Sequence, residues 1–287
     1  MAFLRDDHVI ALLWQGRRVR DRIGYAALQY VDVRTRVMKV GFIGAGRISR
    51  SVADALIAQG HEIAFVVARD TAKAAETFPN VPCIKSVKEF SESEVDLVVE
   101  AASAEAIHQH GPQVLERYDF AILSTTAMSI PAIESALNES AQRHGTQLHL
   151  LTGGIVGLDG LMAVRASLDS VEIETVKTPA AWGIEPHEGQ KVIFDGSTRL
   201  ACETYPRNVN VHASVAHASL GFDACRSRLI SDPQTPVLTQ NVRVKGADFG
   251  WTIQLHSQSI GGVSGSLTPR SVIGNVFRLL AARVVRA

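Results

Sequence analysis

Cysteine is scarce in this chain. Cys83, Cys202 and Cys225 are the three in 287 residues, widely separated and without a CxxC pair. That excludes a disulfide framework and an evident thiolate metal site, and it reads as free thiols in a reducing, cytoplasmic compartment. An excess of charge is also missing, since Lys+Arg and Asp+Glu are 29 each. A balanced chain is not built to neutralise phosphates, which excludes nucleic acid and an anionic membrane surface as main partners. No apolar run approaches the ~18 residues of a membrane-spanning helix. His108-x-His110 has metal-like spacing but no third ligand, so no metal is expected. A GxSxG nucleophile elbow is absent too. What is present is 46% hydrophobic against 20% charged residues, enough for a sizeable core and, at this length, for two domains.

Residues 1–37 differ from the rest. They carry seven Arg and four Asp and no Gly-rich loop, and the apolar piece Val9–Trp14 is too short for a secretory core. The Arg17, Arg18, Arg20, Arg22 cluster reads as a solvated face. Met38 opens a fresh start, so the folded protein proper is expected from there, with residues 1–37 an extension of no assigned role.

Lys39–Ile43 is a short apolar run suited to a buried strand. It enters Gly44-Ala45-Gly46-Arg47-Ile48-Ser49 directly. Ile48, Val52, Ala55 and Leu56 then recur at helical spacing until Gly60, a stop signal, and His61–Ala68 is a second apolar strand. This βαβ order is that of a dinucleotide site. Gly44 permits the tight turn, Gly46 lets the backbone approach a pyrophosphate, and the helix start offers free N–H groups to it. Gly44, Gly46, Arg47 and Ile48 are therefore expected to hold the cofactor. The second strand ends Val67-Ala68-Arg69-Asp70, with Ala68 where a carboxylate would select NAD. The Arg69 guanidinium suits a 2′-phosphate, which favours NADP. Asp70 keeps NAD open, although Asp70-Thr71 equally reads as a helix cap.

The alternation continues. Strands are expected at Val95–Val99, Phe120–Leu123 and Leu148–Leu151, with helices at Glu105–Leu115 and Ile130–His144. Such a pattern means an α/β fold, a doubly wound parallel (Rossmann) sheet, here over residues 38–155. Ligands bind at the carboxyl ends of its strands, where Glu100, Ser103, Ser124 and Gly154 fall.

From about Ser170 the chain turns strand-rich, with runs at 171–176, 191–195, 228–231, 242–245 and 251–255. Asn208–Leu220 follows Pro206 as a helix with small residues. Residues 156–270 are thus expected to form a second, α+β domain for substrate and dimerisation. The helix 271–287 should pack back on the first domain. A small-molecule substrate and a homodimer are the expected partners, with Lys177 and Asn208 on the substrate.

The chain resembles the L-aspartate dehydrogenase family from Lys39 to about Arg278. The similarity rests on Gly41-Phe42-Ile43-Gly44-Ala45-Gly46-Arg47-Ile48, Val98-Val99-Glu100-Ala101-Ala102-Ser103, Leu151-Thr152-Gly153-Gly154-Ile155-Val156-Gly157-Leu158-Asp159, Lys177-Thr178-Pro179-Ala180-Ala181-Trp182 and Val192-Ile193-Phe194-Asp195-Gly196-Ser197. Tyr205-Pro206-Arg207-Asn208-Val209-Asn210-Val211 followed by Ser231-Asp232-Pro233 is the strongest part. The resemblance implies oxidation of the amine of L-aspartate to iminoaspartate or oxaloacetate with NAD or NADP, and a link to NAD biosynthesis. It also implies that Gly154, an alanine in many relatives, and Asn210 hold the cofactor.

Three positions depart from the family. Counting from Asp232-Pro233, the family's catalytic histidine falls on Gln240, and no histidine lies between His217 and His256. His212 stands where relatives have alanine. The Asn-Pro-Lys-Thr-Ser stretch is replaced by Gly261-Gly262-Val263-Ser264-Gly265 or Thr268-Pro269-Arg270-Ser271. Gln has no useful pKa for proton transfer. His212, beside Asn210, is accordingly the candidate base, with Gln240 at the altered catalytic position. The alternative is a dinucleotide-binding homologue with another amine or imine substrate, or with no turnover.

Overall fold

The computed structural model describes residues 36–91, 94–260 and 265–284. The expectations for residues 1–35, for Gly261–Ser264 and for the last three residues of the helix 271–287 lie outside them. The elements in chain order are β1 (Lys39–Ile43), α1 (Arg47–Ala58), β2 (Glu62–Val67), α2 (Thr71–Thr77), β3 (Cys83–Ile84), β4 (Leu97–Glu100), α3 (Ala104–Leu115), β5 (Phe120–Ile122), α4 (Pro131–His144) and β6 (Leu148–Leu150). There follow α5 (Leu158–Ala163), β7 (Leu168–Lys177), α6 (Pro179–Trp182), β8 (Lys191–Ser197), α7 (Thr198–Thr204), α8 (Asn210–Ala218), β9 (Arg226–Ser231), β10 (Leu238–Gly246), β11 (Gly250–Ser257) and α9 (Leu267–Val284).

The first six strands form one parallel sheet in the order β3-β2-β1-β4-β5-β6. That is the doubly wound order, with its reversal between β1 and β4. The strand residues are apolar on both faces because helices cover both. Val40, Phe42 and Val99 pack with Val52 and Leu56 of α1, and α9 closes the same face with Val272, Val276 and Leu280. Ile43, Val98 and Ile122 face the opposite side with Ile107 and Val114 of α3 and Leu137 of α4. α1 buries Ser49, Val52, Ala53 and Leu56, the one-sided spacing of a helix on a sheet.

The other five strands form a mixed sheet, β11-β10-β7-β9-β8. β7 runs parallel to β9 and antiparallel to β10. Its residues alternate. Val171, Ile173, Thr175 and Lys177 are buried on the side of α8, whereas Glu172 on the other face pairs with Arg226 and Arg243. Val242 and Leu229 continue the apolar inner row against Val209, Ala213 and Ala216. The helix expected over Asn208–Leu220 is shorter, Asn210–Ala218, because Asn208 and Val209 turn the chain into it. The sequence pattern had no signal for α7, a seven-residue helix whose start is capped by the Ser197 hydroxyl on Leu200 N–H.

Candidate functional site

The turn after β1 is shaped for a phosphate. Gly44 sits at φ +102, where a Cβ would lie 2.9 Å from the Ala101 carbonyl oxygen and the Ala102 Cβ. Only glycine is at ease there. Beside Gly46 there is open space, and Gly46 caps α1 without a side-chain hydrogen bond. No acidic residue stands in the first turn of α1. Its N–H groups are left to meet an anion, so the loop fits a dinucleotide pyrophosphate. Ser49 takes the third glycine position, fully buried, its hydroxyl without a hydrogen-bond partner. The Arg47 guanidinium donates to the Ile260 carbonyl. Arg69 is exposed beyond β2, and Asp70 is spent as the cap of α2, accepting from Lys73 N–H at 3.0 Å.

Two of the serines expected at strand ends are engaged within the protein. Ser103 caps α3, accepting from Ala106 N–H at 3.2 Å. Ser124 gives its N–H and its hydroxyl to the Glu100 carboxylate, at 2.9 and 2.7 Å. Ala102 and Leu123 N–H groups complete that ring of donors. Burial pushes the Glu100 carboxyl up while those four donors pull it down. Glu100 thus ties the ends of β4 and β5 together.

Between the two sheets lies a cavity. The carboxyl end of the parallel sheet supplies Leu123 and the turn Leu151–Gly154. The second sheet supplies Lys177, Leu238, Gln240 and Ser257. The Arg207–Val211 turn, Ser214 and the start of α9 at Thr268 close it. Gly154, Lys177, Asn208, Asn210 and Gln240, far apart in sequence, therefore meet here. A Cβ at Gly154 would lie 3.2 Å from Thr268 Oγ1, so glycine widens the site at this point. Asn210 is held by its side-chain oxygen, which accepts from Thr126 N–H at 3.2 Å and Thr126 Oγ1 at 3.1 Å. Its amide group is thus positioned by the turn after β5.

Lys177 ends β7 with 3% exposure. Its Nζ donates to the Asn208 carbonyl at 3.2 Å and sits 4.4 Å over the Trp182 ring. Burial pulls its pKa down to about 8. Gln240, 5% exposed, lies directly opposite Thr175 on the inner face of the sheet.

His212 is brought close to these groups but is not among the residues lining the cavity. It is 1% exposed, between Thr175 Oγ1 at 2.8 Å from Nε2 and Ser227 Oγ at 2.9 Å from Nδ1. The direction of this chain follows from its far end. Thr198 Oγ1 donates to the Cys225 carbonyl, so Ser227 donates to Thr198 and accepts from His212 Nδ1–H. Thr175 then donates to Nε2, the ring's one acceptor. Burial, with the nearby Lys177 charge, pushes the pKa down to about 3. The ring, with both nitrogens bonded inside the fold and outside the cavity lining, is placed as a strut between α8 and the second sheet, where the sequence led to the expectation of a base.

Sequence reasoning missed Arg207 as a cavity residue, and missed Thr175, Ser227 and Trp182 as neighbours of His212 and Lys177. The alternation of β7 carried one usable signal, since Thr175 and Lys177 share the parity of Val171 and Ile173. Among the described residues no cluster of His, Cys, Asp or Glu could hold a metal, and no helix is long and apolar enough to cross a membrane.

Comparison with known proteins agrees with this geometry. Residues 44–151 match the family model of the homoserine dehydrogenase NAD-binding domain, and residues 159–279 match that of the aspartate dehydrogenase C-terminal region. The chain is 33% identical over 225 residues to L-aspartate dehydrogenase of Serratia proteamaculans, covering 74% of this chain and 84% of that one. It is 32% identical over 269 residues to L-aspartate dehydrogenase of Cupriavidus necator, covering 88% and 98%. The crystal structure of aspartate dehydrogenase from Thermotoga maritima superposes with a TM-score of 0.71 at 23% identity, over 88% of this chain and 98% of that chain, and shares its fold.

Proposed function

The chain belongs to the L-aspartate dehydrogenase family and is an NAD(P)-dependent amino-acid dehydrogenase, and on that premise we propose that its substrate is L-aspartate itself. The reaction is oxidation of the CH–NH2 carbon to iminoaspartate, which water converts to oxaloacetate. The single observation that carries this reading is the cavity between the sheets. It gathers the Arg207 guanidinium and the Lys177 amine with the side chains of Asn208, Asn210 and Gln240. A dicarboxylate needs a cation such as Arg207, and hydrogen-bond donors around it.

Gly44, Gly46 and the first turn of α1 would hold the pyrophosphate, and Gly154 and Asn210 the part of the cofactor that enters the cavity. When bound, the nicotinamide supplies a hydride acceptor. Arg207 and Asn208 bind and orient the substrate, and Gln240 hydrogen-bonds to it. His212 keeps Thr175, and with it the floor beside Gln240, in place. The division of labour belongs to the same proposal, with 38–155 as the cofactor region and 156–270 as the region for substrate and for contact between two subunits. So does a cytoplasmic role in supplying NAD biosynthesis.

The assay that tests the reading is consumption of reduced cofactor with oxaloacetate and ammonia, alongside cofactor binding. Turnover with oxaloacetate is expected. Cofactor binding without turnover would instead favour a second reading, another amine or imine substrate or none, for which Gln240 at the proton-transfer position speaks. The same assay checks Arg69. Arg69→Ala is expected to weaken NADPH by about 1.5 kcal/mol, a factor of about ten, and to leave NADH unchanged. Equal loss for both cofactors would remove Arg69 from the 2′-phosphate.

A further inference from the structure

We propose that Lys177 is the catalytic residue that carries the proton in this site, taking it from the substrate ammonium at Nζ and returning it to the departing nitrogen. The inference rests on the aspartate reading and names the group that performs its proton transfer. Four observations carry it.

First, the position is right. Nζ belongs to a side chain lining the cavity, on the same inner face as Thr175 and Gln240. Gln240 occupies the place from which a base is expected, and its amide does not titrate. Second, the surroundings favour a neutral amine. Lys177 is 3% exposed, and Nζ lies over Trp182, against the Asn208 carbonyl. A lysine so enclosed gives up its proton near neutral pH, at about 8 here. Third, the site holds an unmatched acceptor. Asn208 Oδ1 is buried without a hydrogen-bond partner, beside the cavity that would receive an ammonium group. Fourth, a half-exposed imidazole stands beside the strand neighbour of Lys177. Lys177 lies opposite Ser231 in the β7–β9 ladder, and the buried Ser231 hydroxyl is 2.7 Å from His187 Nε2, which is half-exposed.

The chemistry balances at Nζ. One N–H bond of the substrate ammonium breaks and one forms on the lysine. The electron pair left on nitrogen becomes the second bond of C=N as Cα surrenders its hydride to the oxidised cofactor. Water adds to that carbon and releases one proton to solvent. Nζ then returns its proton to the nitrogen, and cleavage of the C–N bond gives ammonium and the carbonyl. Among the described residues, the titratable and charged groups that share this corner include His212 from α8, Arg207 from the turn before it, and His187 and Asp232 beside β9. His212, whose pKa burial pushes down to about 3, supplies no limb near pH 8.

The test compares Lys177→Arg, which keeps the charge but cannot release a proton, with Lys177→Ala. Both are expected to lose about 10²-fold or more in kcat for aspartate oxidation. KM in Lys177→Arg should stay within a few-fold of wild type, and methylamine should restore turnover to Lys177→Ala. The acidic limb of the wild-type rate profile should lie near pH 8. A readout that needs no turnover is competitive labelling of the wild-type protein with trace acetic anhydride, followed by mass spectrometry. Lys177 should label with a midpoint near pH 8 and be shielded by succinate. Retention of kcat in Lys177→Arg, a loss confined to KM, or a Lys177 midpoint at the ordinary lysine value of 10.5 would each overturn the proposal. If wild type oxidises no aspartate, the substrate reading fails, and the labelling midpoint still decides whether Lys177 is a proton carrier.

Discussion

Replacing His212 by alanine is expected to lower the unfolding free energy by about 3–4 kcal/mol. The imidazole fills a fully enclosed space between α8 and the second sheet, and its removal leaves a cavity. Thr175 Oγ1 loses its acceptor, Nε2, in a place water does not reach, at a cost of about 1–3 kcal/mol. Ser227 keeps Thr198 and is less affected. The same residue makes stability depend on pH. Its folded pKa is about 3 against the ordinary 6.5. Between those values the unfolded chain takes a proton that the folded state refuses. Stability therefore falls as the pH falls from 6.5 towards 3, by about 1.4 kcal/mol per pH unit from this group alone. Urea unfolding at pH 7, 6, 5 and 4 measures both effects. His212→Ala should start lower and decline less steeply than wild type. Parallel curves would mean that the histidine is protonated in the fold, and the strut assignment would fall.

Gln240→His is expected to raise kcat for aspartate oxidation at pH 7 by up to about 10²-fold. The position faces the cavity, and the two side chains have similar volume and reach. A lysine with a pKa of about 8 is neutral in only about a tenth of molecules at pH 7. An imidazole with an ordinary or depressed pKa is mostly neutral there. The gain should thus be largest at pH 6–7 and fade towards pH 9, where Lys177 is itself deprotonated. Stopped-flow reduction of NADP or NAD across that range checks it. An unchanged rate in a variant that melts like wild type and binds cofactor would show that proton transfer does not limit turnover.

Much of this protein is readable along the chain. Lys39–Ile43, Gly44-Ala45-Gly46 and the Val52–Leu56 spacing specify a strand, a phosphate turn and an amphipathic helix, because each is set by neighbours within a few residues. The alternation of strands and helices to Leu151 determines the doubly wound sheet, since apolar parallel strands need helices on both faces. The family resemblance put Asn208, Asn210, Lys177 and Gln240 forward from the sequence, and all four line the cavity.

What the chain alone could not settle is which of these side chains face one another. His212 follows Asn210 by two residues, yet the turn of α8 sends it away from the cavity lining and onto Thr175, 37 residues distant, and Ser227, 15 residues distant. Ser124 and Ser103 sit at strand ends like ligand contacts, and a buried Glu100 and a helix start take their hydroxyls instead. Lys177 is expected on the substrate from the sequence, but its burial is decided only when β7 is placed between β9 and β10, with Trp182 under its Nζ. Propensity and spacing determine which elements form. Register across the sheet and the packing of helices on it decide the burial of each group, and burial is what makes His212 inert and Lys177 able to give up a proton.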